Sequence, residues 1–228
     1  MCASKTSMAA HHSNAAKLDD RAIALIGAGG HARETLLLLQ QCGVASERIA
    51  GFFVDGEYWT GELIEGYPQH RLNTFDPSIH AAVVAVGDSK ARRRLTLALP
   101  AGTCFPSFAH PTAIIPEYLE LSEGVIVHAG CIVTTNVKLE RHVQLNRSTN
   151  VGHDSVLREF VTTAPGAVIS GNCEIGAASY LGAMCCIREK QSVGVEAVIG
   201  MGAMVVSDVP AHAVFVGNPA RPLARKSK

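Results

Sequence analysis

The chain lacks an excess of charge of either sign. Its 228 residues carry 20 Lys and Arg against 20 Asp and Glu. With no general basic or acidic field, nucleic acid and anionic membrane surfaces are excluded as principal partners. No window approaches the roughly 18 uncharged apolar residues that a transmembrane helix needs, so membrane insertion is not expected. The seven cysteines (Cys2, Cys42, Cys104, Cys131, Cys173, Cys185 and Cys186) include no CxxC pair. That argues against a metal site and a disulfide framework, and reduced thiols in a cytoplasmic protein fit the pattern. Residues 1–20, "MCASKTSMAAHHSNAAKLDD", lack the apolar core of a secretory signal and read as a disordered leader.

What is present is a chain 47% apolar with two different periodicities. Residues 21–108 read as α/β. "AIALIG" suits a buried parallel strand and breaks into the turn "GAGGHA". "RETLLLLQQCG" then has helical spacing and stops at Gly43. "RIAGFFVD" and "AAVVAVGD" read as further strands, with the helix "SKARRRLTLAL" after the second. Strand, glycine turn, helix, strand is half of a doubly wound fold, a Rossmann-like half-domain.

From Ile115 the period becomes six. Stepping in sixes from Ile115 to Val205 visits sixteen positions, and all but Thr163 are aliphatic. Two residues before most of these anchors the side chain is small or β-branched, as at Cys131, Thr149, Ser155 and Ala167. Glycine often follows the anchor, as at Gly152, Gly176 and Gly182. A period of six fits a parallel β-helix of hexapeptides, in which each hexad is one short strand and one corner. Three hexads make a triangular coil, so the anchors predict about five coils within residues 109–228.

On such a prism, residues 18 apart stack on neighbouring rungs about 4.8 Å apart. Thr135, His153 and Gly171 form one column, and Asn136, Asp154 and Asn172 the next. His153 points outward near a corner. Gly171 leaves space beside its imidazole and offers a backbone N–H. Asp154 can fix the imidazole tautomer. A base, an orienting acid and an oxyanion donor are the groups that acyl transfer requires. His128 and His142 are equally outward and read as non-catalytic, and His110 reads as a loop residue.

Three segments carry a family resemblance: "LNRSTNVGHDSVL", "VISGNCEIG" and the ending "VPAHAVFVGNPARPL". With the "GAGGHA" turn, they resemble bacterial sugar acyltransferases of the sialic-acid O-acetyltransferase and bacillosamine N-acetyltransferase type. The resemblance implies that the β-helix is left-handed. It also implies direct acetyl transfer from acetyl-CoA to an amine on a nucleotide-linked 4-amino-4,6-dideoxy sugar, for bacterial surface glycans and without metal. His153 would be the base, Asp154 its support, and the Gly171 N–H the donor to the thioester oxygen. Coenzyme A would lie between neighbouring helices of a homotrimer, with Ala183 and Met201 along the pantetheine arm and Gly217, Pro219 and Ala220 near the adenine. Thr162 stands where several relatives carry a second histidine, which reduces its expected role to a cofactor contact. The tail residues Arg225, Lys226 and Lys228 either touch coenzyme A phosphates or fray.

The glycine turn also fits G-x-G-x-x-A, the dinucleotide fingerprint, with Asp55 placed to take a ribose hydroxyl. An NAD enzyme is therefore a rival, opposed by the shortness of the α/β part and by His31 inside the turn. By the resemblance, Gly29, Gly30 and His31 would instead meet a sugar nucleotide at a helix N-terminus. Asp55 and Gly87 would line the same crevice, although a turn role for Asp55 stays open. The run Arg92, Arg93, Arg94 reads as a solvated helix face, with Arg92 the alternative phosphate clamp. O-acetylation of a sialic-acid-type sugar and a non-catalytic nucleotide-sugar-binding protein remain the other functional readings.

Overall fold

The computed structural model describes residues 20–223. The expected leader, apart from Asp20, and the basic tail lie outside the described residues. The α/β part holds a parallel sheet of four strands: β1 (Ala22–Ile26), β2 (Ile49–Val54), β3 (Gln69–Arg71) and β4 (His80–Val84), in the order β3-β2-β1-β4. Helix α1 (Gly30–Gln41) follows β1, and α2 (Ser89–Ala98) follows β4. The three apolar runs became β1, β2 and β4. The short edge strand β3, "QHR", was not anticipated because three polar residues carry no apolar alternation. Asp88 caps α2, its carboxylate accepting from the Ala91 N–H at 2.7 Å.

The rest of the chain winds into a parallel β-helix whose strands pair at a separation of 18, as in Asn150↔Val168 and Val151↔Ile169. Every expected anchor is buried, and so are the small residues two places earlier, which also face the interior. The one polar anchor, Thr163, is matched inside by Thr149, their hydroxyls 2.8 Å apart. Corners recur every six residues, each with one residue in left-handed conformation: Asn136, His142, Ser148, Asp154, Phe160 and onward, with Gly124, Gly130, Gly166 and Gly202 in the same register. The glycine after an anchor serves another purpose. A Cβ on Gly152 would stand 2.6 Å from the Gly171 nitrogen of the next coil, so only glycine permits the stacking there.

The β-helix is longer than five coils. One face stacks seven parallel strands, from Phe108–Ala109 to Val214–Val216, closed by the antiparallel Arg221–Pro222. The hexad register also continues below Ile115 to Ala109, where the intervening loop hides it.

The three faces differ. On the first, Phe108, Ile126, Gln144 and Thr162 point outward yet are buried, because the α/β part packs on them. The second exposes a largely apolar ladder, with Ile114, Ile132 and Met204 exposed and Asn150 its one polar rung. The third is polar, with Lys138 and Glu174 exposed and Arg158 bridging Glu140 and Glu174.

Arg92 pins the first face to the α/β part. It is 0% exposed, contrary to the solvated helix face expected of it. Its guanidinium donates to the carbonyls of Val86, His142 and Phe160 at 2.8, 3.2 and 2.8 Å, and to Gln144 Oε1 at 3.1 Å. Burial pushes its pKa down to about 9, so it remains charged at neutral pH. His128 and His142 point out of the β-helix but into this seam, and are buried rather than outward in solvent. His142 lies between Phe105 and Phe160, at ring separations of 4.8 and 4.9 Å. Among the described residues, the Nε2 atoms of both histidines have no hydrogen-bond partner. His110 lies in a loop as expected, just after the strand Phe108–Ala109, and is buried there with its ring bonded to Thr112 and Gln41.

Burial pushes the pKa of His142 down to about 3, with Arg141 and Arg92 adding to the effect, and that of His128 down to about 4. Both imidazoles are neutral in the fold, whereas in the unfolded chain they bind protons below about pH 6.5. The unfolded state therefore takes up more protons as the pH falls from there, and stability is lost toward the folded values. The urea midpoint is expected to fall steadily from pH 7 to pH 5. His142→Phe, which keeps the ring stack, should give a shallower slope.

Candidate functional site

His153 and Asp154 occupy a corner between the second and third faces, after the strand Asn150–Val151 and before Val156–Leu157. Asp154 has φ +59°, as the corner register requires, and Asn136 and Asn172 share that conformation in the same column. His153 Nδ1 lies 2.7 Å from Asp154 Oδ2, and Asn136 Nδ2 donates to Asp154 Oδ1 at 3.1 Å. The hydrogen bond from His153, then that from Asn136, holds the Asp154 carboxyl below the usual carboxylate range. An ionised carboxylate only accepts, so Nδ1 carries a proton, and in the neutral imidazole Nε2 then holds the lone pair. Nε2 faces Gly171, where a Cβ would stand 2.5 Å away. The Asn172 N–H donates to the His153 carbonyl at 2.7 Å, while the Gly171 N–H enters none of the coil-to-coil hydrogen bonds. A half-exposed imidazole nitrogen and a free backbone donor thus lie on adjacent rungs, suited to taking a proton and to stabilising an oxyanion.

A concavity of about 470 Å³ opens elsewhere, at the carboxyl ends of β1, β2 and β4 beside α2. Gly27, Gly29 and Asp55 line it, with an apolar floor that includes Phe53, Leu72 and Leu95. Its size and its place in the sheet suit a nucleotide.

Not every residue expected at these sites is there. Gly30 lines the other side of the α1 N-terminus, with Arg33 and Glu34. His31 turns into the seam instead, its Nε2 2.9 Å from Gln144 Oε1, because burial against the β-helix orients the ring away from the crevice. Gly87 also faces the seam, its carbonyl accepting from Thr162 Oγ1 at 3.0 Å. Arg92 cannot clamp a phosphate, since its guanidinium is enclosed by seam carbonyls. Arg94 lines the crevice in its place. Helical spacing from Ala91 to Arg94 and Leu95 was the signal that would have found it.

Of the expected coenzyme contacts, Thr162 is 3% exposed, and its hydroxyl is occupied by Ser89 and Gly87 beneath the α/β part, so no cofactor reaches it. Ala220 is 2% exposed, with its methyl in the β-helix core. Gly217 and Pro219 lie exposed in the closing turn. Ala183 is half-buried and Met201 is 82% exposed, both at the corner between the first and second faces. The apolar second face separates that corner from His153 within one chain.

Residues 22–99 match the family model described as the PglD N-terminal domain. The acetyltransferase domain of PglB from Neisseria gonorrhoeae, solved with acetyl coenzyme A, is 32% identical, with a TM-score of 0.79 over 90% of this chain and 100% of that one. The chain belongs to the sugar acetyltransferases built on a left-handed β-helix. Within this family it is 29% identical to the GDP-perosamine N-acetyltransferase of Escherichia coli O157:H7, over 88% of this chain and 96% of that protein. It is 25% identical to PerB from Caulobacter crescentus, solved with CoA and GDP-perosamine, with a TM-score of 0.79 over 89% and 97% of the two chains.

Gly171→Ala should leave the melting temperature almost unchanged, because the half-exposed imidazole can swing aside. Swinging breaks its alignment with Asp154, and acetyl transfer should fall about 100-fold, as expected for a catalytic group displaced by about 1 Å. A thermal melt and a thiol-release assay on the same preparation check both halves.

Proposed function

We propose that the protein transfers the acetyl group of acetyl-CoA to the amine of a nucleotide-linked 4-amino-4,6-dideoxy sugar. The carrying observation is the His153–Asp154 pair, with Nε2 open toward Gly171 and a free N–H beside it. The neutral amine attacks the thioester carbonyl carbon. His153 Nε2 takes the amine proton as the C–N bond forms, and the Gly171 N–H donates to the oxyanion. The C–S bond then breaks, and the thiolate leaves as coenzyme A once protonated. Asp154 stays ionised and holds the imidazolium. Residues 21–108 bind the nucleotide sugar, with Gly29 at the phosphates, Asp55 on a ribose hydroxyl and Arg94 as the nearby cation. Residues 109–228 carry the transfer. The likeness to one protein named for GDP-perosamine and to another solved with it favours a GDP-linked sugar over a UDP-linked one.

The working unit is a homotrimer. The apolar ladder of the second face supports this, since exposed Ile114, Ile132 and Met204 are side chains that a neighbouring copy would cover. Packing that face against another chain would set the Ala183–Met201 corner of one copy near His153 of the next, making a groove for coenzyme A that a single chain does not form. It would also shield the reacting groups from water. Sedimentation should give a trimer for the wild type and smaller species for Ile132→Asp.

His153→Asn should lower turnover by about 10²–10⁴-fold, the usual contribution of a general base. Binding of the GDP-linked amino sugar, measured by calorimetry, should stay close to that of the wild type. Unchanged turnover removes His153 from the mechanism.

A further inference from the structure

The second face carries a single polar residue in the middle of an apolar strip. From Ile114 its outward ladder runs through Ile132, Asn150, Val168, Cys186 and Met204, each pairing with the next. Asn150 is half-buried, and its Nδ2 donates to the Ser148 carbonyl at 3.1 Å. A carbonyl only accepts, so this contact fixes which end of the amide is nitrogen. Oδ1 and the second N–H of Nδ2 have no other hydrogen-bond partner among the described residues. The face thus presents one acceptor and one donor side by side, surrounded by apolar rungs.

Symmetry supplies the partner for this pair. The face lies between the corner that carries Ala183 and Met201 and the corner that carries His153. In the proposed homotrimer, the first corner meets the His153 corner of one neighbour, and the second meets the Ala183–Met201 corner of the other. With its two edges engaged by different neighbours, the face itself is turned toward the threefold axis. Every rung of the ladder then becomes a ring of three identical side chains. Apolar rings need only pack. A primary amide, with a donor and an acceptor side by side, is satisfied by others of its own kind.

We propose that the three Asn150 amides close a cyclic hydrogen-bonded ring on the threefold axis, each Oδ1 accepting from the Nδ2 of the next copy, and that this ring sets the register of the assembly. The other rungs carry little register information, because Ile, Val, Cys and Met replace one another as packing partners at small cost. Two faces slipped by one rung, or packed antiparallel about the middle of the ladder, would set Asn150 against Ile132 or Val168 and leave its amide unpaired in an apolar contact. A slip between parallel copies also repeats around the axis and gives an open stack in place of a closed ring. A single buried asparagine selects register in coiled coils through the same penalty. Asn150 stands three residues before His153. The level it selects is therefore the level at which the His153 corner meets its neighbour. The inference rests on the homotrimer reading.

Two variants of the full-length protein test it, with assembly size followed by sedimentation velocity and bound metal counted by native mass spectrometry. Asn150→His sets three imidazoles where the amides meet. It should bind one Zn²⁺ per three chains beyond any bound by the wild type, and the metal should hold the trimer together on dilution. Asn150→Asp brings three carboxylates together. It should fall to smaller species at pH 7 and return to a trimer as the pH is lowered and the carboxyl groups protonate. A trimeric wild type whose Asn150→His variant binds no additional Zn²⁺, or one ion per chain, overturns the ring. So does an Asn150→Asp variant that stays trimeric at pH 7. A wild type that is not a trimer removes the homotrimer reading and the ring together.

Discussion

The site depends on one constraint, the 18-residue register between coils. Each coil donates backbone hydrogen bonds to the next at nearly constant spacing, so residues far apart in sequence are held one rung apart with little freedom to slide. That register puts the free N–H of Gly171 beside His153 and the amide of Asn136 against Asp154. A sheet with one polar and one apolar side could slip by two residues and keep its pattern. This prism cannot, because each slip would drive corner residues with left-handed backbone into strand positions.

The seam between the two parts is built differently. It buries one arginine, two histidines and a glutamine and satisfies the charge with backbone carbonyls instead of a carboxylate. Gln144 is the common member. Its Oε1 meets Arg92 and His31, and its Nε2 donates to the Val84 carbonyl at the end of β4 at 2.9 Å. The glycine turn, β4 and α2 border the crevice, and all three are tied to one side chain on the β-helix. A buried cation without a paired anion is costly to leave unsatisfied, so this arrangement tolerates little displacement of one part against the other. The crevice at the carboxyl ends of the strands is thereby held in a fixed relation to the corner that carries His153.

Much of the fold was legible because its repeat is short and its interior narrow. The anchors from Ile115 to Val205 are all buried, and the alternation of anchor and small residue marks two interior positions in each hexad. The trio of His153, Asp154 and Gly171 followed from the same spacing. Most of the misplaced site residues lie where the two parts meet. His31, Gly87 and Thr162 were read as facing a ligand, and Arg92 as a solvated helix face with a phosphate clamp as the alternative, and each faces the seam. Their local patterns, a basic helix run or a glycine turn, look the same whether solvent, ligand or another part of the chain lies opposite. The edge strand β3 left no periodic trace at all.

The sequence by itself determined the period, and with it the coil, the interior and the rung-by-rung neighbours of His153, because backbone stacking turns a spacing of 18 directly into contact. Tertiary structure alone decided which outward side chains are covered. Gln144 and Asn150 are both polar residues that open strands of the β-helix, yet one is enclosed by the α/β part and the other faces the open second face. Which face receives the α/β part depends on where the chain leaves β4 and α2 and enters the first coil, a long-range geometric outcome that no local pattern encodes.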